Sequence, residues 1–174
     1  SLTGKGDSEV IKGAAAAFEA IISEHTALVE PYVFAQLPKI LAACASKDKA
    51  VRDAVTSFTQ ACGAKMSGES TKAILPHLFE ASKGAGLQGG TAFNARVCAL
   101  NMINALAENA SEQLGFALPV VVPEVTHSMS DPKKDIAKAA HDALVAVCDV
   151  IGNRDIEHMT GKIVRSITVP SDTP

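Results

Sequence analysis

A short proline-centred segment returns along this chain at a spacing that few folds accommodate. It reads LPKIL around Pro38, LPHLF around Pro76 and VPEVT around Pro123, then TGKIV with Gly161 in the proline position, at intervals of 38, 47 and 38 residues. Thirteen residues after Pro38 stands Val51, and thirteen after Pro123 stands Ile136; each opens a second apolar stripe. In the middle unit that stripe opens at Val97, eight residues late, and the glycine-rich segment KGAGLQGG from Lys83 to Gly90 supplies the delay. A unit of two apolar stripes cannot bury its hydrophobic face alone and has to stack on copies of itself. The chain is therefore expected to be an array of helix pairs.

Inside each unit the spacing is helical. Val33, Leu37, Ile40, Leu41 and Cys44 are followed by Val51, Ala54, Val55, Phe58, Ala61 and Cys62; Ile74, Leu75, Leu78 and Phe79 by Phe93, Val97, Leu100, Ile103 and Ala107; Leu118, Val121, Val122, Val125 and Met129 by Ile136, Ala140, Leu144, Val147 and Ile151. A helix pair recurring at this interval has the period of HEAT-type or armadillo-type repeats. The predicted fold is all-α, a right-handed α-α superhelix (HEAT-repeat solenoid) of about seven helices. Its parts are a flexible N-terminus over 1–6, a helix over 7–23, repeats over 28–65, 67–108 and 110–152, and a partial repeat over 153–168. The missing partner of that last helix, and the lack of a polar capping repeat at either end, make the chain read as a fragment of a longer protein.

Local signals refine this plan. Val10, Ala14, Ala17, Phe18 and Ile21 form the expected inner face of the first helix. Pro31 suits a first helical turn, whereas Pro38 lies inside its helix and should bend it. Asn109 and Glu112 have capping-box spacing, and Asp131 before Pro132 is a helix start, an N-cap followed by proline at the first position.

Composition limits the function. Charged residues make up 20% and the net charge is −3, which argues against a dedicated DNA-binding domain, since such domains carry a basic surplus to neutralise phosphates. No run approaches a membrane span or the apolar core of a signal peptide. Cys44, Cys62, Cys98 and Cys148 each lie in an apolar helical run with no CxxC pair, and read as buried free thiols of a reducing, cytoplasmic compartment.

Catalytic and cofactor motifs fall short. Gly84, Gly86 and Gly89 satisfy GxGxxG, but a dinucleotide site needs that pattern to leave a strand and open a helix, and here it follows a helix. His25, His77, His127, His141 and His158 are scattered without metal-ligand spacing, and neither a phosphate loop nor a nucleophile elbow is present. No catalytic, cofactor or metal residue is assigned, and this chain is not expected to be an enzyme. The charged turns are more informative: Lys47, Lys49 and Arg52 open one second helix, and Lys133, Lys134 and Lys138 open the equivalent helix two units on. In a solenoid, equivalent turns line one edge, so these cations, with Arg96 between them, make a candidate ridge for RNA phosphates or acidic protein surfaces. The competing reading is a set of solvated helix starts, with Arg52 paired to Asp48 or Asp53.

The ordered run VEPYVFAQLPKI, AILPHLFEA, DPKKDIAKAAHDAL and NRDIEH resembles the N-terminal HEAT region of translation elongation factor three, the fungal-type ribosomal ATPase. The resemblance extends from Val29 to Pro174. It implies a ribosome-docking solenoid, with possible contacts to other translation factors, in a larger factor whose ATP-binding cassettes lie outside this chain and which helps clear deacylated tRNA from the exit site. Neither membrane nor DNA is an implied partner. The glycine-rich loop and Phe93, where an aromatic Trp is usual, depart from the family pattern. The HEAT region of the ribosome-associated activator of the starvation-responsive initiation-factor kinase is similar too, and a general protein-binding HEAT scaffold remains a third reading.

Overall fold

A computed structural model describes residues 5–84 and 89–150. Six helical runs fill them: α1 (Lys5–Ala43), α2 (Lys49–Lys65), α3 (Gly68–Lys83), α4 (Ala92–Asn109), α5 (Ser111–Met129) and α6 (Lys134–Asp149). No strand occurs among the described residues. α1 is two helices in one run, because His25 leaves the helical region (φ −135°, ψ 46°) and breaks it there. Counting both segments, the described residues hold seven helices in an all-α solenoid. The helix expected over 153–168 lies outside the described residues.

The packing is that of stacked pairs. α1 lies on α2, α3 on α4 and α5 on α6; first helices stack along α1, α3 and α5, and second helices along α2, α4 and α6. α1 touches neither α5 nor α6, so contacts run only between neighbouring units. α4 is the exception to this thrift, since it meets every other helix. Accordingly it buries Ala95, Cys98, Ala99, Leu100, Met102, Ile103, Leu106 and Ala107, a face of more than half its circumference.

The repeat stripes turn inward as their spacing requires. Val33, Leu37, Leu41, Val51, Val55, Phe58, Ile74, Leu78, Leu100, Ile103, Val121, Val125, Ile136 and Val147 are all buried. The first helix is a correction. Its buried side chains are Ala15 and Ile22, while Val10 is 70% exposed and Phe18 and Ile21 are largely open. The alanine run Ala14–Ala17 gives this helix two apolar faces, so periodicity alone cannot say which one is covered. Phe18 retains one inward contact, its ring 6.2 Å from that of Phe58.

Helix ends correct the sequence reading at three places. Pro31 is not in a first turn but well inside α1, whose non-helical residue is His25. Asn109 is the last residue of α4, not an N-cap; its amide donates to Met66 O at 2.7 Å, closing the carbonyl end of α2 instead. α6 begins at Lys134, because Asp131 is drawn into a turn in which its carboxylate accepts the Lys133 N–H at 2.8 Å. Pro132 therefore precedes the helix. Cys148, expected to be buried, is exposed on α6, while Cys44, Cys62 and Cys98 are buried.

The turn between α2 and α3 is held from both sides. Asn109 reaches it from α4, and Glu30, only 7% exposed, reaches it from α1 to accept the Ser67 N–H and the Ser67 hydroxyl. A buried carboxylate is tolerated because both its oxygens are paired. Glu30→Ala leaves the Ser67 amide without its partner and is expected to lower unfolding stability by roughly 1–3 kcal/mol in urea titration. A second pair of variants tests the helix stacking. A Cβ on Gly63 of α2 would stand 2.8 Å from Ala105 Cβ of α4, whereas a Cβ on Gly13 of α1 meets nothing within 4 Å. Gly63→Val should therefore cost roughly 1–3 kcal/mol by overpacking, and Gly13→Ala should stabilise by about 0.5–1 kcal/mol through helix propensity.

Candidate functional site

The turns inside the repeats lie along one edge, and four contacts tie them in order. The Thr91 hydroxyl donates to Ala45 O at 2.7 Å, joining the segment before α4 to the turn before α2. Arg96 of α4 donates through Nε to Ser82 O at 2.7 Å and pairs through Nη1 with Asp131 Oδ2 at 2.7 Å, joining α3, α4 and the turn before α6. The Lys133 ammonium sits 3.7 Å from the centre of the Phe93 ring, a cation–π contact across the same two units. At the outer side Lys83 pairs with Glu124 at 3.0 Å. The turns that carry Lys47 and Lys133 are thereby linked through Thr91, Arg96 and Phe93.

The cations of these turns are not equivalent. Arg96 is a strut: its side chain is 22% exposed, that of Asp131 is 12% exposed, and both guanidinium contacts point into the array. Lys133 is exposed but spends its charge on Phe93. Arg52 pairs with neither Asp48 nor Asp53. Its Nη1 instead donates to Ser46 O at 2.8 Å and Lys47 O at 3.0 Å, carbonyls of the turn between α1 and α2. Asp48 caps α2 by accepting the Ala50 N–H at 2.9 Å, and that bond first, helped by Ser8, Val51 N–H and Lys12 against the opposing desolvation, holds its carboxyl below the usual range. Asp53 takes Lys49 at 2.7 Å in an exposed i,i+4 pair, an interaction of under about 1 kcal/mol that leaves Lys49 largely available. Lys47, Lys134 and Lys138 are exposed and have no acidic partner among the described residues.

The edge thus offers three open ammonium groups on a braced frame, with Lys49 as a fourth at small cost. Such an arrangement suits anions spaced along an extended surface, and nothing in it positions a nucleophile or a proton carrier. Gly84, first glycine of the GxGxxG pattern, is a helix C-cap at φ 75°, its N–H bonding Ala81 O and Glu80 O, and it follows a helix where a dinucleotide turn would follow a strand. Gly86 lies outside the described residues. No group of three or more His, Cys, Asp or Glu with metal-binding geometry occurs among the described residues, and no helix there is long and apolar enough to cross a membrane.

Sequence reasoning missed the bracing residues. Thr91, Phe93 and Asp131 act through partners that are far away in the chain, and no local spacing reports such pairs. Asp131 did carry a visible signal, as a helix-start aspartate, but its second oxygen is committed to Arg96.

Comparison with known proteins adds identity to this geometry. The model of the family described as EF3 N-terminal HEAT repeat matches residues 1–144. Elongation factor 3B of Saccharomyces cerevisiae is 30% identical over 146 residues, which is 84% of this chain and 14% of that protein. Elongation factor 3 of Phytophthora infestans is 31% identical over 175 residues, covering 100% of this chain and 16% of that protein. The eIF-2-alpha kinase activator GCN1 of Dictyostelium discoideum is 30% identical over 146 residues, 84% of this chain and 5% of that protein. The chain spans a small fraction, under a fifth, of the length of each relative.

The brace itself is testable by a double-mutant cycle on Arg96→Met and Asp131→Asn. A half-buried, charge-assisted pair is expected to show a coupling of roughly 1–3 kcal/mol in thermal or urea unfolding. The same cycle on Lys49→Met and Asp53→Asn should give under about 0.5 kcal/mol.

Proposed function

We propose that this chain, which belongs to the EF3 N-terminal HEAT repeat family, is a ribosome-docking scaffold of an elongation factor 3-like protein. The reading is supported by one observation above the rest: the turns of successive repeats share an edge on which Lys47, Lys134 and Lys138 stand open while Arg96, Asp131, Phe93 and Thr91 brace the frame beneath them. Ribosomal RNA phosphates, or an acidic ribosomal protein, are the surfaces such an edge fits. The work is rigid-body attachment in the cytoplasm. In the whole protein, ATP-binding cassettes outside this chain would hydrolyse ATP and promote release of tRNA from the exit site; this chain itself would perform no catalysis.

A second reading is favoured by the match to the kinase activator, which equals that to Elongation factor 3B of Saccharomyces cerevisiae in identity and length. It keeps a HEAT scaffold and changes what the scaffold serves. ATP-binding cassettes downstream in the same reading frame decide for the elongation factor, and a long continuation of helical repeats for the activator.

The docking edge is tested by co-sedimentation with purified ribosomes across a salt series, beside a variant carrying Lys47→Glu, Lys134→Glu and Lys138→Glu. Loss of three phosphate contacts should flatten the salt dependence by about 2–3 units of log–log slope and weaken binding at least about tenfold at low salt. Pelleting of the variant indistinguishable from the unaltered chain removes these residues from the contact.

A further inference from the structure

The two segments of α1, with α2 behind them, enclose an apolar trough of about 290 Å³. One lip is formed by Val10, Ala14 and Phe18 of the first segment, at i, i+4 and i+8, and the floor by Val33, Val55 and Phe58, all buried. The other lip has a different chemistry. Tyr32, Gln36 and Lys39 stand there at i, i+4 and i+7, one stripe of the second segment. Their side chains end in a phenol, an amide and an ammonium group, and Lys39 is the one charged residue among those described around the trough. It is exposed and has no acidic partner among the described residues. Val10 and Tyr32 remain 70% and 73% exposed, so the described fold leaves both lips open.

We propose that this trough binds an alkyl carboxylate, a fatty-acid anion whose chain lies along the apolar floor and whose head is held by the Lys39 ammonium and the Gln36 amide. Apolar walls with a few convergent polar groups are the make-up of a small-molecule pocket, and the volume lies near the lower end of the ~300–1,000 Å³ that such pockets span. The space suits an alkyl chain and is narrow for a helix about 10–12 Å across. Charge selects the head group. An unpaired ammonium beside apolar surface favours an anion, and Gln36, three residues before Lys39, is its neighbour on the same helix face, at about 5–6 Å between Cβ atoms. An amide N–H and an ammonium can therefore share the two oxygens of one carboxylate. Tyr32, a further turn away, lies toward the chain, where its ring extends the apolar wall. A cationic amphiphile gains the same floor and meets repulsion at Lys39. None of the lining residues is among the cations of the basic edge, so the site stands apart from the docking reading.

The test is isothermal titration of the 174-residue chain with dodecanoate below its micellar concentration. Dodecyltrimethylammonium and a short amphipathic helical peptide of leucine and glutamate are titrated beside it. The expected result is saturable one-to-one binding of dodecanoate that raises the Tm, with the cationic amphiphile at least about tenfold weaker. Lys39→Met keeps the apolar stem and removes the charge, and should weaken dodecanoate binding at least about tenfold. Ala14→Trp, at an exposed position of the apolar lip, should fill the trough and abolish binding. The comparison of the two amphiphiles on the unaltered chain does not depend on how either variant folds. No dodecanoate binding, equal affinity for both amphiphiles, binding that survives Ala14→Trp, uptake of the peptide alone, or a trough covered by a second copy in a dimer on gel filtration would each overturn the proposal.

Discussion

Burial of α4 among five other helices is the contact on which the array depends. An isolated helix pair of this composition would expose one apolar face per helix, and α4 is where the faces from both neighbouring units are satisfied at once. Each of its large buried side chains, Leu100, Met102, Ile103 and Leu106, contributes on the order of 1.5–3 kcal/mol by leaving water. Close approach makes this possible. Gly63 of α2 lies against the Ala105 methyl and the Met102 carbonyl of α4, so two adjacent units approach closely because Gly63 contributes no side chain at the contact. A core without tryptophan, built from alanine, leucine, valine and isoleucine, is the composition such stacking needs.

The two edges of the array are finished by different physics. On one edge the turn between α2 and α3 is closed by Glu30 and Asn109, whose partners are a backbone amide, a backbone carbonyl and a hydroxyl. On the other, turns are joined by the Arg96–Asp131 pair, the Lys133–Phe93 contact and the Lys83–Glu124 pair. Cations are used there twice over, some as struts and some as open charge, and exposure separates the two roles. Arg96 is mostly covered and committed; Lys47, Lys134 and Lys138 stand clear. That division is what links the fold to the proposed docking role, since a surface of open lysines presents a defined spacing only if the turns beneath it are fixed.

The fold was legible because repetition multiplies a weak signal. Any one stripe of valine and leucine is ambiguous between helix and strand, VVV around Val121 above all, but the recurring proline segments put it in register with clear helices. What failed was local. The covered face of the first helix was misread because its alanines mark two faces equally. The starts of α5 and α6 were misplaced because Asn109 and Asp131 carry the right chemistry for caps and spend it elsewhere, one on Met66 and the other on Arg96 and a turn amide. Repeat equivalence raised the expectation of a ridge; which of its cations are engaged could not be read, because that depends on Phe93, Ser82 and Asp131, residues brought close only by folding.

The finish of the edges also gives the array a mechanical character. It behaves as a beam with two unlike seams. Neutral hydrogen bonds and a buried carboxylate stiffen the seam at Glu30 and Asn109, and dissolved ions hardly reach them. The opposite seam is fastened in large part by charge at or near the surface, which ions screen over about a nanometre at physiological strength. The two seams therefore answer unequally to salt: added ions weaken the partly exposed Lys83–Glu124 pair and leave the Glu30–Ser67 and Asn109–Met66 bonds nearly untouched.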